Sequence, residues 1–333
     1  MVDTFRSLGY EVDVVQGYGA QRRRQIAAIR KKIKKGIHYD FLYSESSTMP
    51  TLLTERHHLP LFPTLDFSFF AFCRRHGIRV GLFYRDIYWQ FINRNADWKQ
   101  RVARHFYFFD LYAYRRWVDV LFLPSLEMLA HIPFTFPRTV LSLPSGCGTA
   151  PVQVQPHDGL TIFYVGGVSG NYDLRPLLEA VARVDGVRLT LCCRSDDWEL
   201  VRSHYQPYLT PRVDVVHATP EQLPPLYAAA DLFAILFAPS PYRQFAVPMK
   251  FYEAVGFGLP LLASTDTWVG NEVERRTLGF AVQPTADAVE HLLRHLLHNP
   301  EVVAACRTAV ARYAADNTWE ARCTTVAKAL THK

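Results

Sequence analysis

PMKFYEAVGFGLPLLAS, residues 248–264, decides more about this chain than any other stretch. Lys250 and Glu253 stand three apart, so they share one face of a helix. Gly256, Gly258 and Pro260 end that helix and turn the chain into an apolar strand, LPLLAS. A cation and a carboxylate are thereby held together near a helix N-terminus, where backbone amides and the helix dipole favour negative charge. An anionic, hydroxyl-rich ligand such as the diphosphate of a nucleotide sugar suits that arrangement. The same letters also describe an ordinary amphipathic helix with a glycine end, in which Lys250 is a surface lysine paired with Glu253.

Outward from this stretch, the second half of the chain alternates strands with helices. LTIFYV (160–165) runs into Gly166 and Gly167, then GVSGNYDL and the helical pattern RPLLEAVARV. VRLTLCC (187–193) is the next strand, followed by a polar helix with Trp198 and Leu200. Residues 213–216 are strand-like, 220–230 read as a helix opening on Pro220, and LFAILF (232–237) is a buried strand. Continuous apolar strands alternating with helices predict right-handed βαβ units and a parallel sheet covered on both faces. Residues 158–300 are therefore expected to form one Rossmann-like domain.

The first half alternates less cleanly. Strands are expected at 11–15 (EVDVV), 40–44 (DFLYS), 79–84 (RVGLFY), 120–124 (VLFLP) and 139–143 (TVLSL). The fourth follows an aromatic-rich helix, HFYFFDLYAYRRWV. The Gly/Pro/Ser-rich residues 144–159 read as a linker, so residues 1–145 are expected to form a second Rossmann-like domain. From residue 286 onward the pattern is helical, split at Asn299-Pro300.

Composition fits this reading. The chain has 333 residues, 49% apolar and 20% charged, which suits two folded domains. It has no apolar run long enough to span a bilayer and no signal-peptide core at its start. Its six cysteines are scattered, without metal or redox spacing, and read as reduced thiols of a cytoplasmic protein. His57, His58, His76, His105, His291 and His295 have no ligand spacing either. Charge is uneven: residues 1–150 carry 21 Lys/Arg against 12 Asp/Glu, the remainder 16 against 19. The densest basic run, RRRQIAAIRKKIKK from Arg22 to Lys35, places Ile26, Ile29 and Ile33 at helical spacing. A basic amphipathic helix suits peripheral contact with an anionic membrane surface or an acidic acceptor. It equally describes a solvated helix face. No nucleic-acid motif accompanies it, so nucleic acid is not an expected partner.

Pro248, Lys250 and Glu253 together resemble the Pro-x-Lys-x-x-Glu variant of the signature of family 4 retaining glycosyltransferases. Those enzymes have the GT-B fold, two doubly wound Rossmann-like α/β domains. The resemblance runs from about residue 5 to residue 330. It is carried also by SLGYEV (7–12), by LYAAAD (226–231) and by Asn317-Thr318-Trp319. It implies that residues 301–330 pack back towards the N-domain. It also implies retaining transfer of a sugar from a nucleotide-diphosphate donor to a hydroxyl acceptor, a glycan or lipid-linked precursor. In the family the Glu matching Glu253 holds ribose hydroxyls. Two departures stand out. The first Glu of the family's Glu-x7-Glu is replaced by Phe245. The family's first strand and Gly-rich loop have no counterpart, so the N-terminal domain is expected to lack its first strand.

Glycosyl transfer needs positive charge or amide donors for the diphosphate, acceptors for hydroxyls, and a group that orients the acceptor. Lys250 is the expected diphosphate cation and Glu253 the ribose partner. The family's Arg and Lys after the first strand of the C-domain are absent. Backbone amides at Gly166, Gly167 and Gly170 are expected to reach phosphate instead, although tight turns explain such glycines as well. Arg194, at the end of a strand, is a further donor-site cation. Tyr242, Arg243 and Phe245, in the loop PSPYRQFAV (239–247), stand where the family's first Glu would meet the donor sugar. In the N-domain, Arg85 occupies the position of a family His and Asp86 is expected to orient the acceptor hydroxyl. Asp86 also fits a helix-start cap. Tyr88 and Trp89 suit a sugar platform or a core, and Glu45 and Ser46 share the same rim. With no Asp-x-Asp motif, a metal-independent reaction without cofactor is expected. A non-catalytic GT-B scaffold subunit is the rival reading. A sugar-nucleotide epimerase would need a His and Glu pattern that is not found.

Overall fold

The structure is a computed structural model that describes residues 1–91, 98–148, 158–170 and 172–331. Most of the linker expected over 144–159 lies outside the described residues. The chain divides into two units, residues 1–145 with 319–333, and residues 146–318.

The first unit holds a four-stranded parallel sheet in the order β1 (Phe41–Glu45), β2 (Arg79–Phe83), β3 (Val120–Leu123), β4 (Thr139–Ser142). Its helices are α1 (Val2–Ser7), α2 (Gly19–Lys34), α3 (Leu65–Arg75) and α4 (Trp98–Trp117), joined by the last helix of the chain, Trp319–Thr331. The central strands β2 and β3 read RVGLF and VLFL, and their interior residues are buried, as strands covered on both faces should be. In α2 the isoleucines fall inward as their spacing demands: Ile26, Ile29 and Ile33 are all buried. Part of its positive charge is consumed internally. Arg22 pairs with Asp66 at 3.2 Å and Lys32 with Asp13 at 2.8 Å, whereas Arg23, Arg24, Lys31, Lys34 and Lys35 are exposed.

Residues 11–15 differ from expectation. They belong to no sheet and make no backbone–backbone hydrogen bond among the described residues. The physical reason is the lack of a neighbour. Between them and β1 lies a cavity of about 1100 Å³, lined by residues of 9–17 and 37–47 and floored by apolar side chains of α2 and α3.

The second unit holds six parallel strands, β5 (Leu160–Val165), β6 (Val187–Cys192), β7 (Val213–Val216), β8 (Leu232–Ile235), β9 (Leu261–Ser264) and β10 (Gly279–Val282). Their order across the sheet is β10-β9-β8-β5-β6-β7. Helices α5 (Arg175–Arg183), α6 (Ser195–Tyr205), α7 (Leu223–Ala228), α8 (Met249–Gly256), α9 (Trp268–Arg276), α10 (Ala286–His298) and α11 (Pro300–Asp316) surround it. The helix expected over 220–230 is a 3₁₀ turn, Pro220–Gln222, continued by α7. Two apolar layers sandwich the sheet, one around Ile162, Leu189 and Leu293, the other around Phe163, Phe251 and Leu261. Each unit is thus a doubly wound α/β layer structure. Among the described residues no helix is long and apolar enough to cross a membrane, and all six cysteines are free and buried.

Candidate active site

In the second unit the strand order reverses between β5 and β8. The chain climbs outward from β5 to β7 on one side and from β8 to β10 on the other. Ligands of open α/β sheets bind beyond the carboxyl ends of the strands at such a switch point. Gly166 follows β5 there, and residues 236–248 follow β8 and lead into α8.

Lys250 stands in the first turn of α8 and its Nζ lies 3.0 Å from Glu253 Oε2, with both side chains about one-third exposed. The helix is short because Gly258, at φ +80°, lets the chain reverse into Leu259 and β9. Its other face, Phe251, Tyr252, Ala254 and Val255, is buried. The i, i+3 pair, with the exposed Met249 beside it, is what α8 presents to solvent. Behind it, Tyr227 of α7 is fully buried and stacks on Phe257 at 4.1 Å. Burial, and then the charge of the Glu253 carboxylate, push the Tyr227 hydroxyl far above its ordinary range. That hydroxyl stays protonated beside the carboxylate.

The Gly-rich turn after β5 is fixed by tyrosines. Tyr164 Oη donates to the Gly167 carbonyl, and Tyr205 Oη donates to the carbonyls of Val168 (2.9 Å) and Tyr172 (3.1 Å). A Cβ at Gly167 would stand 2.9 Å from the Tyr172 ring, and one at Gly166 3.0 Å from Tyr164 Oη. Both glycines are thus explained by close tyrosine packing, whatever else their amides do. The loop 239–247 meets this turn through Phe237: the Arg243 guanidinium lies 4.6 Å over the Phe237 ring, and Tyr172 meets the same ring edge-on at 5.2 Å. Arg243 Nη1 donates to the Ala238 carbonyl at 2.6 Å, and burial lowers the pKa of the guanidinium. Phe237 N in turn donates to Ser264 Oγ at 2.7 Å, which ties the ends of β8 and β9 together.

The donor-side residues picked from sequence fall into three groups. Gly166, Gly167 and Arg243 are brought together, and Lys250 pairs with Glu253 on the helix that follows the same loop. Arg194 is exposed at the N-cap of α6, beyond the end of the neighbouring strand β6. Phe245 is only 2% exposed, its ring edge-on to Tyr242 at 5.3 Å, so it braces the loop instead of facing a ligand.

In the first unit the ends of β1 and β2 collect a polar group. Arg85 Nη2 lies 3.1 Å from Glu45 Oε2, and Arg85 N donates to the buried Ser46 Oγ at 3.0 Å. Asp86 Oδ1 accepts from Ile87 N (2.7 Å) and Tyr88 N (3.0 Å), one residue ahead of Ile87, the N-cap of the 3₁₀ turn Tyr88–Gln90, which no side chain caps. Trp89 is buried, stacked on Tyr107 at 4.9 Å and donating to Tyr84 Oη, so it is core rather than a sugar platform. Nearby, sequence reading missed Asp110, a lone acid inside the aromatic helix. Thr51 N donates to its Oδ2 at 2.6 Å, and burial raises its carboxyl to about 7. Among the described residues, no three His, Cys, Asp or Glu side chains are grouped to hold a metal ion.

Residues 159–299 match the family model of the group 1 glycosyl transferases. No curated protein sequence matches the chain. Among solved structures, HepE of Anabaena in complex with UDP superposes with a TM-score of 0.65 at 14% identity, over 96% of this chain and 85% of that one. Sucrose-phosphate synthase of Thermosynechococcus elongatus gives 0.62 at 16% identity, covering 98% and 90% of the two chains. WaaG, a glycosyltransferase involved in lipopolysaccharide biosynthesis, gives 0.58 at 16% identity over 96% and 97%. Residues 159–299 are thus similar to the group 1 glycosyl transferases, and the chain has the two-unit α/β fold of these solved structures.

Proposed function

We propose that the chain transfers a sugar, with retention and without a metal ion, from a nucleotide-diphosphate donor to a hydroxyl of a glycan or lipid-linked acceptor. The observation that carries this reading is the Lys250–Glu253 pair, exposed on α8 immediately after the loop that leaves the switch point. Lys250 and the amides opening α8 neutralise the departing diphosphate, and Arg243 and Arg194 add charge from either side of β5. Such preorganised charge acts where negative charge develops as the glycosidic bond breaks. Glu253 accepts from ribose hydroxyls, held in place by Lys250. Asp86 and Arg85 orient the acceptor. HepE, solved with UDP and with UDP-glucose, makes a uridine donor the first to try. The exposed basic face of α2 is the part of the first unit suited to an anionic lipid surface.

The test is nucleotide release from a panel of UDP-, GDP- and ADP-sugars. Activity should appear with one donor class and fall about 10²–10³-fold in Lys250→Ala and in Glu253→Ala. Unchanged turnover in both variants would sink the site. A scaffold reading is favoured by one feature, the buried Phe245 at the position of the family's first Glu. Calorimetric binding of a nucleotide sugar with no turnover would support it.

A further inference from the structure

Tyr227 of α7 has no exposed surface, and three other rings fix it. It stacks on Phe257, the C-cap of α8, at 4.1 Å and on Phe233 of β8 at 5.6 Å, and Phe163 of β5 meets it edge-on at 4.9 Å. All lie in or against the apolar layer of Phe251 and Leu261, where a phenylalanine would pack as well. The tyrosine adds a hydroxyl that is buried and, among the described residues, has no hydrogen-bond partner. Such a group costs stability, so packing alone does not account for it. Phe257 lies one turn after Glu253 and donates its backbone N–H to the Glu253 carbonyl at 3.1 Å, so the two side chains share a helix face. A ring stacked on Phe257 therefore lies along the face that carries Glu253, and that carboxylate bears on the hydroxyl more than any other charge does. Yet the carboxylate is turned to Lys250, 3.0 Å away through Oε2.

We propose that Tyr227 is a positioning residue for Glu253: its hydroxyl takes the carboxylate when a nucleotide diphosphate takes Lys250. The inference rests on the reading of Lys250 and Glu253 as donor-site residues. Without ligand, Lys250 and Glu253 satisfy one another and the Tyr227 hydroxyl is idle. A diphosphate draws the ammonium away, the carboxylate turns to Tyr227 Oη, and its second oxygen is left to accept from ribose hydroxyls. A neutral, protonated donor suits this exchange, because it fixes the carboxylate without cancelling its charge. The three rings hold the hydroxyl still, so the carboxylate is delivered to one place. Capture of phosphate by Lys250 is then what frees Glu253 for ribose, and the two ends of the donor are read in sequence.

The test places Tyr227→Phe in three backgrounds of the full chain: unchanged, Lys250→Ala and Glu253→Ala. Thermal melting is read without ligand, and Kd is read by calorimetry with UDP, GDP and ADP. In the unchanged, unliganded chain Tyr227→Phe should leave Tm as it is or raise it, since the hydroxyl it removes has no partner. Lys250→Ala releases the carboxylate to Tyr227, so there the same substitution should lower Tm by about 2–4 °C. A tyrosine that only packs would give the same change in both. In the unchanged background Tyr227→Phe should weaken the tightest-binding nucleotide about tenfold, the loss expected for one hydrogen bond to a charged group. In Glu253→Ala it should weaken binding no further, because the two residues act as one. A drop in Tm in the unchanged chain would overturn the proposal, as would equal Tm changes with and without Lys250, or a binding loss that persists without Glu253. If Glu253→Ala binds every nucleotide as well as the parent chain does, the donor-site reading fails, and the melting cycle still decides whether Lys250 and Tyr227 exchange the carboxylate.

Discussion

The two sheets of this protein are built by one rule and closed to different degrees. In the second unit six strands run without a gap from β10 to β7, and residues such as Phe163, Leu189 and Leu261 have no exposed surface. In the first, four strands stop at β1, and residues 11–15 lie across a cavity without joining the sheet. The family match covers residues 159–299, within the closed unit. The difference teaches that a doubly wound domain tolerates losing regular pairing at one seam, provided its helices keep their apolar faces covered. Stability should therefore be unequal along the chain, and core substitutions are the strongest way to expose this.

Phe163→Ala removes a ring wedged between Tyr227 and Phe233 in the closed sheet. It should cost about 3–5 kcal/mol. Val14→Ala, beside the cavity and only half-buried, should cost less than about 1 kcal/mol. Urea unfolding followed by signals from each unit reads both values. Equal costs would erase the contrast.

The proposed donor residues Lys250 and Glu253 sit on the closed unit. Glu253→Ala should lower kcat/KM by about 10²–10³-fold, or roughly 3–4 kcal/mol, with Tm nearly unchanged. The double variant with Lys250→Ala should lose much less than the sum of the two single losses, because the two groups act as one pair. Additive losses would mean that each residue works alone.

Much of the closed unit could be read in the letters, because strands buried on both faces are unbroken apolar runs. LTIFYV, VRLTLC and LFAI needed no further context. The turn at Gly258 and the pairing of Lys250 with Glu253 are equally local, a matter of i, i+3 spacing. What could not be read was non-local. EVDVV has the alternation of a strand, yet pairing needs a neighbour, and no local pattern supplies one. In the sequence Trp89 reads as a sugar platform or a core residue, and Phe245 as a donor-sugar contact through its place in the resemblance. They are buried because distant residues, Tyr107 and Tyr242, reach them. Asp110 was hidden among the aromatics of α4, where a helical pattern allows any single acid to face solvent.

Asp110 gives a pH test confined to the open unit. Its carboxyl is raised to about 7 by burial, against about 3.9 for an unfolded chain. Below pH ~4 both states are protonated and nothing is lost. As pH rises towards 7 the unfolded chain releases the proton while the folded one keeps it, so stability falls, then levels off once both are ionised. Between pH 5 and 8 this loss is roughly 2–3 kcal/mol. Asp110→Asn, whose Oδ1 can still accept from Thr51 N, should remove that slope and be the more stable form at pH 8. Unfolding curves at the two pH values check it, and a slope that survives the substitution would assign the effect elsewhere.

The smallest effect falls on the rim of β1 and β2. The Arg85–Glu45 pair is about 40% exposed on both sides, and such pairs contribute about 0–1 kcal/mol. Arg85→Ala should therefore shift Tm by no more than about 3 °C, and less at high salt. Catalysis is the sharper readout. If Arg85 and Asp86 orient the acceptor, the variant should raise KM for acceptor or lower acceptor-dependent turnover while leaving slow donor hydrolysis in place. Loss of both reactions in proportion would mean that Arg85 acts on the donor or on folding. No loss of either would return Arg85 to the role its geometry already explains, an exposed partner for Glu45 at the margin of the sheet.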